Sequence, residues 1–322
     1  MHIDDVVNDA QYHLRSEDIE GWLMYDYGGM NPIFWDAVGQ IANVTRPCWL
    51  WIPSKGEPKL LVSYVDHGRF VDLGISYNSF SGRNDMILKL KGILKSARRI
   101  AMEYSPFGTL PRVSKVDAGT VELISSLGPQ VVSSANLLQY ATQRWTVEQL
   151  ETHLESAEIL TQTVKSAFDY IGSNIHSNPT EYEIAEYIRH TFSEKGLYFP
   201  DGPVVAANDH AADPHFEPTQ ENSVGITHGD WVLIDLWGKL AGNVDSMSAD
   251  ITWTAYVGTK VPKKNQEVFD IVIGARDSAV DLMKEAHSEG TYLEGREYDN
   301  VARKYIHCLL YTSDAADDTP CV

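Results

Sequence analysis

One apolar run, Trp231-Val232-Leu233-Ile234-Asp235-Leu236-Trp237, stands out in the sequence, and a single carboxylate interrupts it. Its short length and its aromatic and β-branched residues predict a strand, and its apolar residues at odd and even positions predict burial on both faces. A second stretch, Ile251-Thr252-Trp253-Thr254-Ala255-Tyr256-Val257, has the same character. The intervening loop contains Gly238, Gly242 and Asn243, which tolerate positive φ. We therefore predict an antiparallel pair of strands.

Each of these two predicted strands carries one aspartate. Asp235 lies inside the first strand, and Asp250 directly precedes Ile251 of the second. An ionised carboxylate among apolar residues is unfavourable unless something compensates its charge. Strand pairing would bring the two carboxylates together, where repulsion raises one pKa unless a cation lies between them. Divalent metal binding is one interpretation; hydrogen bonding to loop amides, the commoner role of aspartates at strand ends, is the other.

The residues that precede this pair of strands predict two helices and a separate domain. A long helical stripe follows Arg144-Trp145-Thr146, and a capping box, Thr180 with Glu183, announces a second helix. The first 140 or so residues alternate short apolar strands, such as Cys48-Trp49-Leu50-Trp51-Ile52, with helical patterns. This alternation predicts a mixed α/β domain, and we place its boundary at Arg144-Trp145-Thr146.

Composition limits the classes of partner and the compartment. The 322 residues include 45 acidic and 26 basic side chains, giving a formal net charge of -19. Nucleic-acid binding needs basic patches, so this balance argues against a nucleic-acid partner. No apolar run approaches the roughly 20 residues that span a bilayer, and three cysteines favour a reducing compartment. We expect a cytoplasmic protein with no membrane partner.

Three blocks, taken in order and with their separations, are similar to one known family. They are Asn208-Asp209-His210-Ala211-Ala212-Asp213-Pro214-His215-Phe216-Glu217-Pro218, then Gly229-Asp230-Trp231-Val232-Leu233-Ile234-Asp235-Leu236, then Ala249-Asp250-Ile251-Thr252-Trp253-Thr254. Together they resemble the creatinase/aminopeptidase P/prolidase superfamily, the metallopeptidases of pita-bread fold. The resemblance covers residues from about 147 to 306. It implies an α/β N-terminal creatinase-like domain over residues 1–143 and a partial α+β pita-bread catalytic domain over residues 147–307.

The resemblance also implies roles for individual residues. Asp235 matches the family's first metal-binding aspartate, and Asp250 matches the aspartate that bridges two metals. His215 matches the histidine that reaches the substrate and helps to stabilise the tetrahedral intermediate; without the family, a structural loop histidine is the preferred interpretation. His210 and His228 match no family residue, and we expect them at the surface or behind the site, with His228 beside a turn.

The sequence departs from the family in three places. The fifteen positions from Asp235 to Asp250 exceed the usual separation, so Asp245 remains an alternative ligand. Trp253 stands where many members have arginine. The remaining ligands, one histidine and two glutamates, should lie beyond Glu297-Tyr298-Asp299-Asn300-Val301-Ala302-Arg303. Residues 308–322 instead resemble a translated sequencing adapter, although a frayed acidic terminus is the alternative interpretation, and we expect a C-terminally truncated gene product.

The function that the resemblance implies is hydrolysis of the peptide bond before proline by a hydroxide held on two divalent metal ions, with manganese as the expected metal. This is the activity of a Xaa-Pro aminopeptidase or dipeptidase acting on a peptide substrate, and family members are commonly homodimers. We expect the truncated chain to be inactive. Two alternatives remain: a non-catalytic relative that binds a peptide or protein, and a creatinase-type hydrolase that acts on amidino compounds without metal.

Overall fold

The computed structural model describes residues 3–39 and 43–310. The chain forms two compact units, Met1–Leu150 and Glu151–Val322. The proposed adapter-derived segment is described only at its first three residues, 308–310, which lie in the last helix, and residues 311–322 lie outside the described part of the chain. Within residues 3–39 and 43–310, no helix combines the length and apolarity that crossing a membrane requires.

The first unit is a mixed α/β domain built on a sheet of six strands. The strands follow the order β4-β3-β2-β1-β5-β6 across the sheet, with β1 antiparallel to β2, β2 antiparallel to β3, and parallel pairing elsewhere. The elements in chain order are α1 (Ile3–Ser16), β1 (Gly21–Asp26), α2 (Pro32–Val38), β2 (Cys48–Pro53), β3 (Lys59–Ser63), β4 (Tyr77–Phe80), α3 (Arg83–Ile93), β5 (Arg99–Met102), α4 (Ala118–Ser126), β6 (Gln130–Ser133) and α5 (Ala135–Thr142). The predicted α/β character of this unit is confirmed.

Both faces of this sheet are covered, as the alternation of strand side chains requires. Trp22 and Met24 of β1 pack into one apolar cluster together with Phe34, whereas the intervening Leu23 packs into a second cluster with Leu90. All five side chains are fully buried. Continuous apolar runs in β1 and β2 are therefore explained by a sheet between two helical layers.

A carboxylate is buried in this first unit. Glu103, which follows β5, is fully buried and accepts hydrogen bonds from Trp22 Nε1 at 2.6 Å and from Asn31 Nδ2 at 3.1 Å. Burial disfavours its ionised form more than these two neutral donors favour it, and it raises the pKa of Glu103 from 4.5 to about 7. The proton is consequently bound more tightly by the folded unit than by the unfolded chain.

The second unit places two helices against an antiparallel sheet. Its elements are α6 (Val147–Asn174, which begins at the end of the first unit), α7 (Glu181–Glu194), β7 (Leu197–Tyr198), β8 (Val204–Ala207), β9 (Trp231–Leu240), β10 (Ala249–Tyr256), α8 (Lys263–Glu289) and α9 (Gly295–Leu310). β9 is central: β10 pairs along one side, and β8 and β7 pair with different parts of the other side. The predicted antiparallel pairing of β9 with β10 is confirmed.

Helix α7 begins where the capping box predicted. The Thr180 hydroxyl accepts from the Glu183 amide at 3.2 Å, and the Glu183 carboxylate accepts from the Thr180 amide at 2.7 Å. These two bonds satisfy amide groups that the first helical turn leaves without a helical partner. The helix then packs its apolar side, including Ile184 and Ile188, on the same cluster as Ile234 of β9.

The prediction that β9 is buried on both faces is wrong. Val232, Ile234 and Leu236 are fully buried against α6 and α7, but Trp231, Leu233, Asp235 and Trp237 are only half-buried. A run of apolar residues predicts two covered faces, yet tryptophan and leucine also occupy a sheet face that is partly open. The half-buried face is the one that carries the carboxylate.

We predict that Glu103 makes the stability of the first unit depend on pH. Its folded-state pKa is raised, so the stabilisation is fully present below the unfolded value of 4.5 and is lost as pH rises through about 7. Urea unfolding followed by near-ultraviolet circular dichroism should show the free energy of unfolding falling by roughly 3 kcal/mol from this group between pH 5 and pH 8.

The matched variants are Glu103→Gln and Glu122→Gln, the second of which changes an exposed glutamate on α4. Glu103→Gln should remove this part of the pH dependence whatever its own stability, and Glu122→Gln should retain it. Equal slopes for the two variants would contradict the assignment.

Candidate active site

The register of β9 and β10 determines where the two predicted carboxylates lie. Asp235 is opposite Thr252, and Trp237 is opposite Asp250. Opposite residues in an antiparallel pair project to the same face, as do residues two apart on one strand. Asp235 and Asp250 are therefore diagonal neighbours on the half-buried face of the sheet.

The electrostatics of this pair fit the binding of a cation. Partial burial, and then the nearby charge of Asp235, raise the pKa of Asp250 above its ordinary value of 3.8. Asp235 accepts a hydrogen bond of 2.6 Å from the Thr252 hydroxyl, which fixes one of its oxygens. Two carboxylates that repel each other on one face are oxygen ligands suited to a divalent ion, whose charge would relieve the repulsion.

The alternative ligand, Asp245, occupies a different position. It lies in the loop between β9 and β10, where its amide donates to Asn243 Oδ1 at 2.9 Å, and the residue is exposed. Asp250, in contrast, is on the strand and shares a face with Asp235. The extra residues of the connection form this loop, which Ser246 closes by donating to the Leu240 carbonyl at 2.7 Å.

Trp253, which stands where many family members have arginine, is opposite Ile234 in the register. Alternation along β10 places position 253 on the face opposite to that of Asp250 and Thr252. Lys165 of α6 lies with its Nζ 5.8 Å from the centre of the Trp253 ring. The substitution therefore falls on the helix side of the sheet, away from the two carboxylates.

His215 lines a cavity of about 570 Å³ in the second unit. Trp237, the residue opposite Asp250, lines the same cavity, together with Arg189 and Glu217. The amide of His215 donates to Asp213 Oδ1 at 2.9 Å, so the backbone turns tightly before an exposed imidazole. His215 and Trp237, the residue opposite Asp250, therefore line the same cavity.

One wall of this cavity depends on a glycine. Gly202 has a φ of +70°, and a Cβ at this position would lie 2.6 Å from the indole of Trp237. Both the left-handed conformation and the close approach exclude larger side chains here. Gly202 therefore permits the Trp237 indole to approach the backbone closely next to the cavity.

Sequence reasoning missed a buried carboxylate, Glu181, behind the His215 segment. Its side chain is fully buried and meets Nδ1 of His210 at 2.9 Å. The sequence places it next to the N-cap Thr180, where an acid is expected for the helix dipole alone, so no pattern predicted a specific partner. We expected His210 either at the surface or behind the site, and it lies behind the cavity segment. The exposed His228 lies in the turn before Gly229, as predicted.

Among the described residues, the predicted metal ligands form a pair and not a larger group. In residues 3–39 and 43–310, no group of three or more histidine, cysteine, aspartate or glutamate side chains has an arrangement that could hold a metal ion. Asp235 and Asp250 form a pair, and His215 lies in the neighbouring cavity.

Comparison with known proteins gives the family. Residues 153–313, half of the chain, match the model of metallopeptidase family M24. A Xaa-Pro aminopeptidase of Haemophilus influenzae is 31% identical over 112 residues, which cover 34% of this chain and 24% of that protein. The chain thus spans about a quarter of the length of that curated relative in this match.

Solved structures have the same fold. Dipeptidase PepE from Mycobacterium ulcerans superposes with a TM-score of 0.64 at 16% identity, covering 95% of this chain and 76% of that one. The prolidase from Pyrococcus horikoshii OT3 gives 0.54 at 18% identity, covering 97% and 80%. The predicted architecture, an α/β domain followed by part of a pita-bread domain, is therefore confirmed, and the chain belongs to metallopeptidase family M24, within the creatinase/aminopeptidase P/prolidase superfamily.

Proposed function

We propose that this protein is a metal-dependent peptidase of the Xaa-Pro aminopeptidase or dipeptidase type, which hydrolyses the peptide bond before proline. The observation that carries the proposal is the position of Asp235 and Asp250 as diagonal neighbours on one open sheet face of an M24 domain. The manganese identity, the homodimer and the cytoplasmic location belong to the same proposal; the family resemblance supports the first two, and the small number of cysteines supports the third.

In this proposal Asp235 and Asp250 hold divalent metal, and each protein group around them has a separate task. Bound metal would supply Lewis-acid polarisation of the scissile carbonyl and activation of water. Thr252 orients Asp235 by donating its hydroxyl proton to one carboxylate oxygen. His215 donates an N–H to the oxygen of the scissile carbonyl as negative charge develops there, while the cavity that it shares with Trp237 holds the substrate.

The chain of 322 residues should bind Mn²⁺ weakly and hydrolyse peptides slowly. The described residues contribute two carboxylates to the proposed centre, whereas a hydrolytic two-metal site takes roughly four or five protein ligands. We propose that the remaining ligands, one histidine and two glutamates, belong to sequence that follows the codon for His307 in the source gene.

Substitution of the paired aspartates should weaken Mn²⁺ binding. Loss of a group that merely supports a ligand costs about 10- to 100-fold in metal affinity, so Asp235→Asn and Asp250→Asn should each raise the Mn²⁺ dissociation constant at least about tenfold in calorimetric titration. Asp245→Asn removes the same charge from the exposed loop and is the matched control. A larger effect of Asp245→Asn than of Asp250→Asn would assign the second ligand to Asp245 instead.

The repulsion between the two carboxylates is measurable without metal. The charge of Asp235 contributes to the raised pKa of Asp250, so Asp235→Asn should lower the Asp250 pKa toward 3.8, while burial keeps part of the shift. Carboxyl ¹³C titration by nuclear magnetic resonance measures both proteins, with Asp245→Asn as the charge control. An unchanged Asp250 titration in Asp235→Asn would show that the two groups do not interact.

The product of the source gene read through the codon for His307 tests the activity itself. We expect Mn²⁺-dependent cleavage of an Xaa-Pro peptide by that product, and slow or undetectable cleavage by the 322-residue chain. His215→Ala should lower kcat by roughly 10²-fold or more, the usual cost of losing one donor to the developing oxyanion, with the Mn²⁺ affinity retained. The exposed His228→Ala is the control and should leave kcat unchanged.

Three outcomes would overturn the proposal. Peptide binding without cleavage would favour the non-catalytic relative, and metal-independent hydrolysis of an amidino compound would favour the creatinase type. A reading frame that continues without histidine and glutamate ligands would remove the basis for a two-metal peptidase.

A further inference from the structure

A buried carboxylate joins four parts of the second unit at the start of α7. Glu181 is the first residue of the helix, and its side chain is fully buried. Its Oε1 accepts from the amide of Ala207 at 2.6 Å, at the end of β8, and its Oε2 accepts from the amide of Val224 at 3.0 Å. The imidazole of His210 supplies the third partner, with Nδ1 2.9 Å from each oxygen.

These contacts determine which nitrogen of His210 carries a proton. An ionised carboxylate only accepts hydrogen bonds, so Nδ1 of His210 must be a donor to Glu181. Two backbone amides and one imidazole N–H then surround the buried charge, and the N-terminus of α7 adds a favourable dipole. Loss of His210 would remove one of three donors to a buried carboxylate, whereas loss of Glu181 would leave the amides of Ala207 and Val224 without this acceptor.

The other side of the imidazole holds the residue next to His215. The rings of His210 and Phe216 are stacked, with centroids 4.2 Å apart and an angle of 25° between planes. Phe216 is buried and directly follows His215, whose amide is held by Asp213. Burial on one side and the turn on the other leave the His215 backbone little freedom.

We propose that Glu181 and His210 are positioning residues for His215: the hydrogen bond from Nδ1 to Glu181 fixes the planar side chain at position 210, and the packing of that planar group on Phe216 fixes the direction of the neighbouring imidazole into the cavity. The orientation of His215 is argued from the contacts above. Only the use of that orientation, donation to the oxygen of the scissile carbonyl, rests on the proposed function. Neither Glu181 nor His210 needs to touch the substrate, because both act through Phe216.

Two substitutions separate the hydrogen bond from the rest of the residue. His210→Leu removes the N–H donor and the planar group, whereas His210→Asn has a smaller planar amide that can pack on Phe216, with an N–H the same number of bonds from Cα as Nδ1 that can still donate to Glu181. The exposed His228→Leu is the matched control for loss of a histidine. Because the His210 side chain is 32% exposed, these variants should still fold, and circular dichroism checks this.

The first readout needs neither metal nor substrate. Exchange of the His215 and Phe216 amide protons, measured by nuclear magnetic resonance, should accelerate at least about tenfold in His210→Leu. It should stay within about threefold of wild type in His210→Asn and be unchanged in His228→Leu. Long-range ¹H–¹⁵N spectra of wild type should show the proton of His210 on Nδ1.

The second readout reports where the imidazole of His215 points. Mn²⁺ should broaden the nuclear magnetic resonance signals of the His215 ring in wild type. Broadening that persists in Asp235→Asn comes from Mn²⁺ outside the proposed site and is subtracted. In His210→Leu the remaining broadening should fall at least about twofold at unchanged Mn²⁺ affinity, and His210→Asn should restore it; a general loss of packing would lower the affinity as well.

The two proposals fail in different ways. If Mn²⁺ broadening does not respond to Asp235→Asn, the proposed metal site is wrong, and amide exchange alone decides the positioning role. If amide exchange and the His215 signals of His210→Leu equal those of wild type, or if His210→Asn behaves as His210→Leu does, the positioning role is wrong whatever the metal result.

Discussion

The pairing of β9 with three other strands is the constraint on which the second unit depends. A central strand must satisfy its backbone groups on both sides, and β9 does so with β10 on one side and with β8 and β7 on the other. Once Val232, Ile234 and Leu236 face the helices, the period of two leaves Asp235 and Trp237 no choice of face. A slip of one residue would bury the carboxylate and expose the apolar residues, so the hydrophobic core itself holds the site in register.

The same pairing places two like charges side by side, one carboxylate from β9 and one from β10. Asp235 and Asp250 are separated by fifteen positions in sequence but become diagonal neighbours because the connecting loop absorbs the extra residues. Partial burial, and then the charge of Asp235, raise the pKa of Asp250, and the Thr252 hydroxyl donates to Asp235. A face with more negative charge than local donors is where a protein uses a cation.

The sequence predicted those parts of the fold that local patterns determine. The strands β9 and β10, their antiparallel pairing and the capped start of α7 follow from periodicity and from capping chemistry, both of which act over a few residues. The prediction that both faces of β9 are buried was wrong, because an apolar run does not distinguish a fully covered sheet face from a partly open face that carries tryptophan and leucine. Glu181 was missed because its partners, Ala207, His210 and Val224, are 26 to 43 positions away in sequence.

Glu103 and Glu181 are both buried within residues 3–39 and 43–310, and they illustrate why burial alone does not define a role. Glu103 accepts from two side-chain donors, Trp22 and Asn31, and its burial raises its pKa to about 7. The charge of Glu103 in the folded first unit therefore changes with pH near 7. Glu181 accepts hydrogen bonds from backbone amides of two separate segments and stands at the start of a helix. Backbone donors remain under every substitution except proline, so they tie these chain segments together whatever most side chains are. The imidazole of His210 is a side-chain partner of Glu181 that substitution can replace, and it also stacks on Phe216 beside His215. Selection can therefore adjust the orientation of His215 through residue 210 without disturbing the anchoring of β8 to α7.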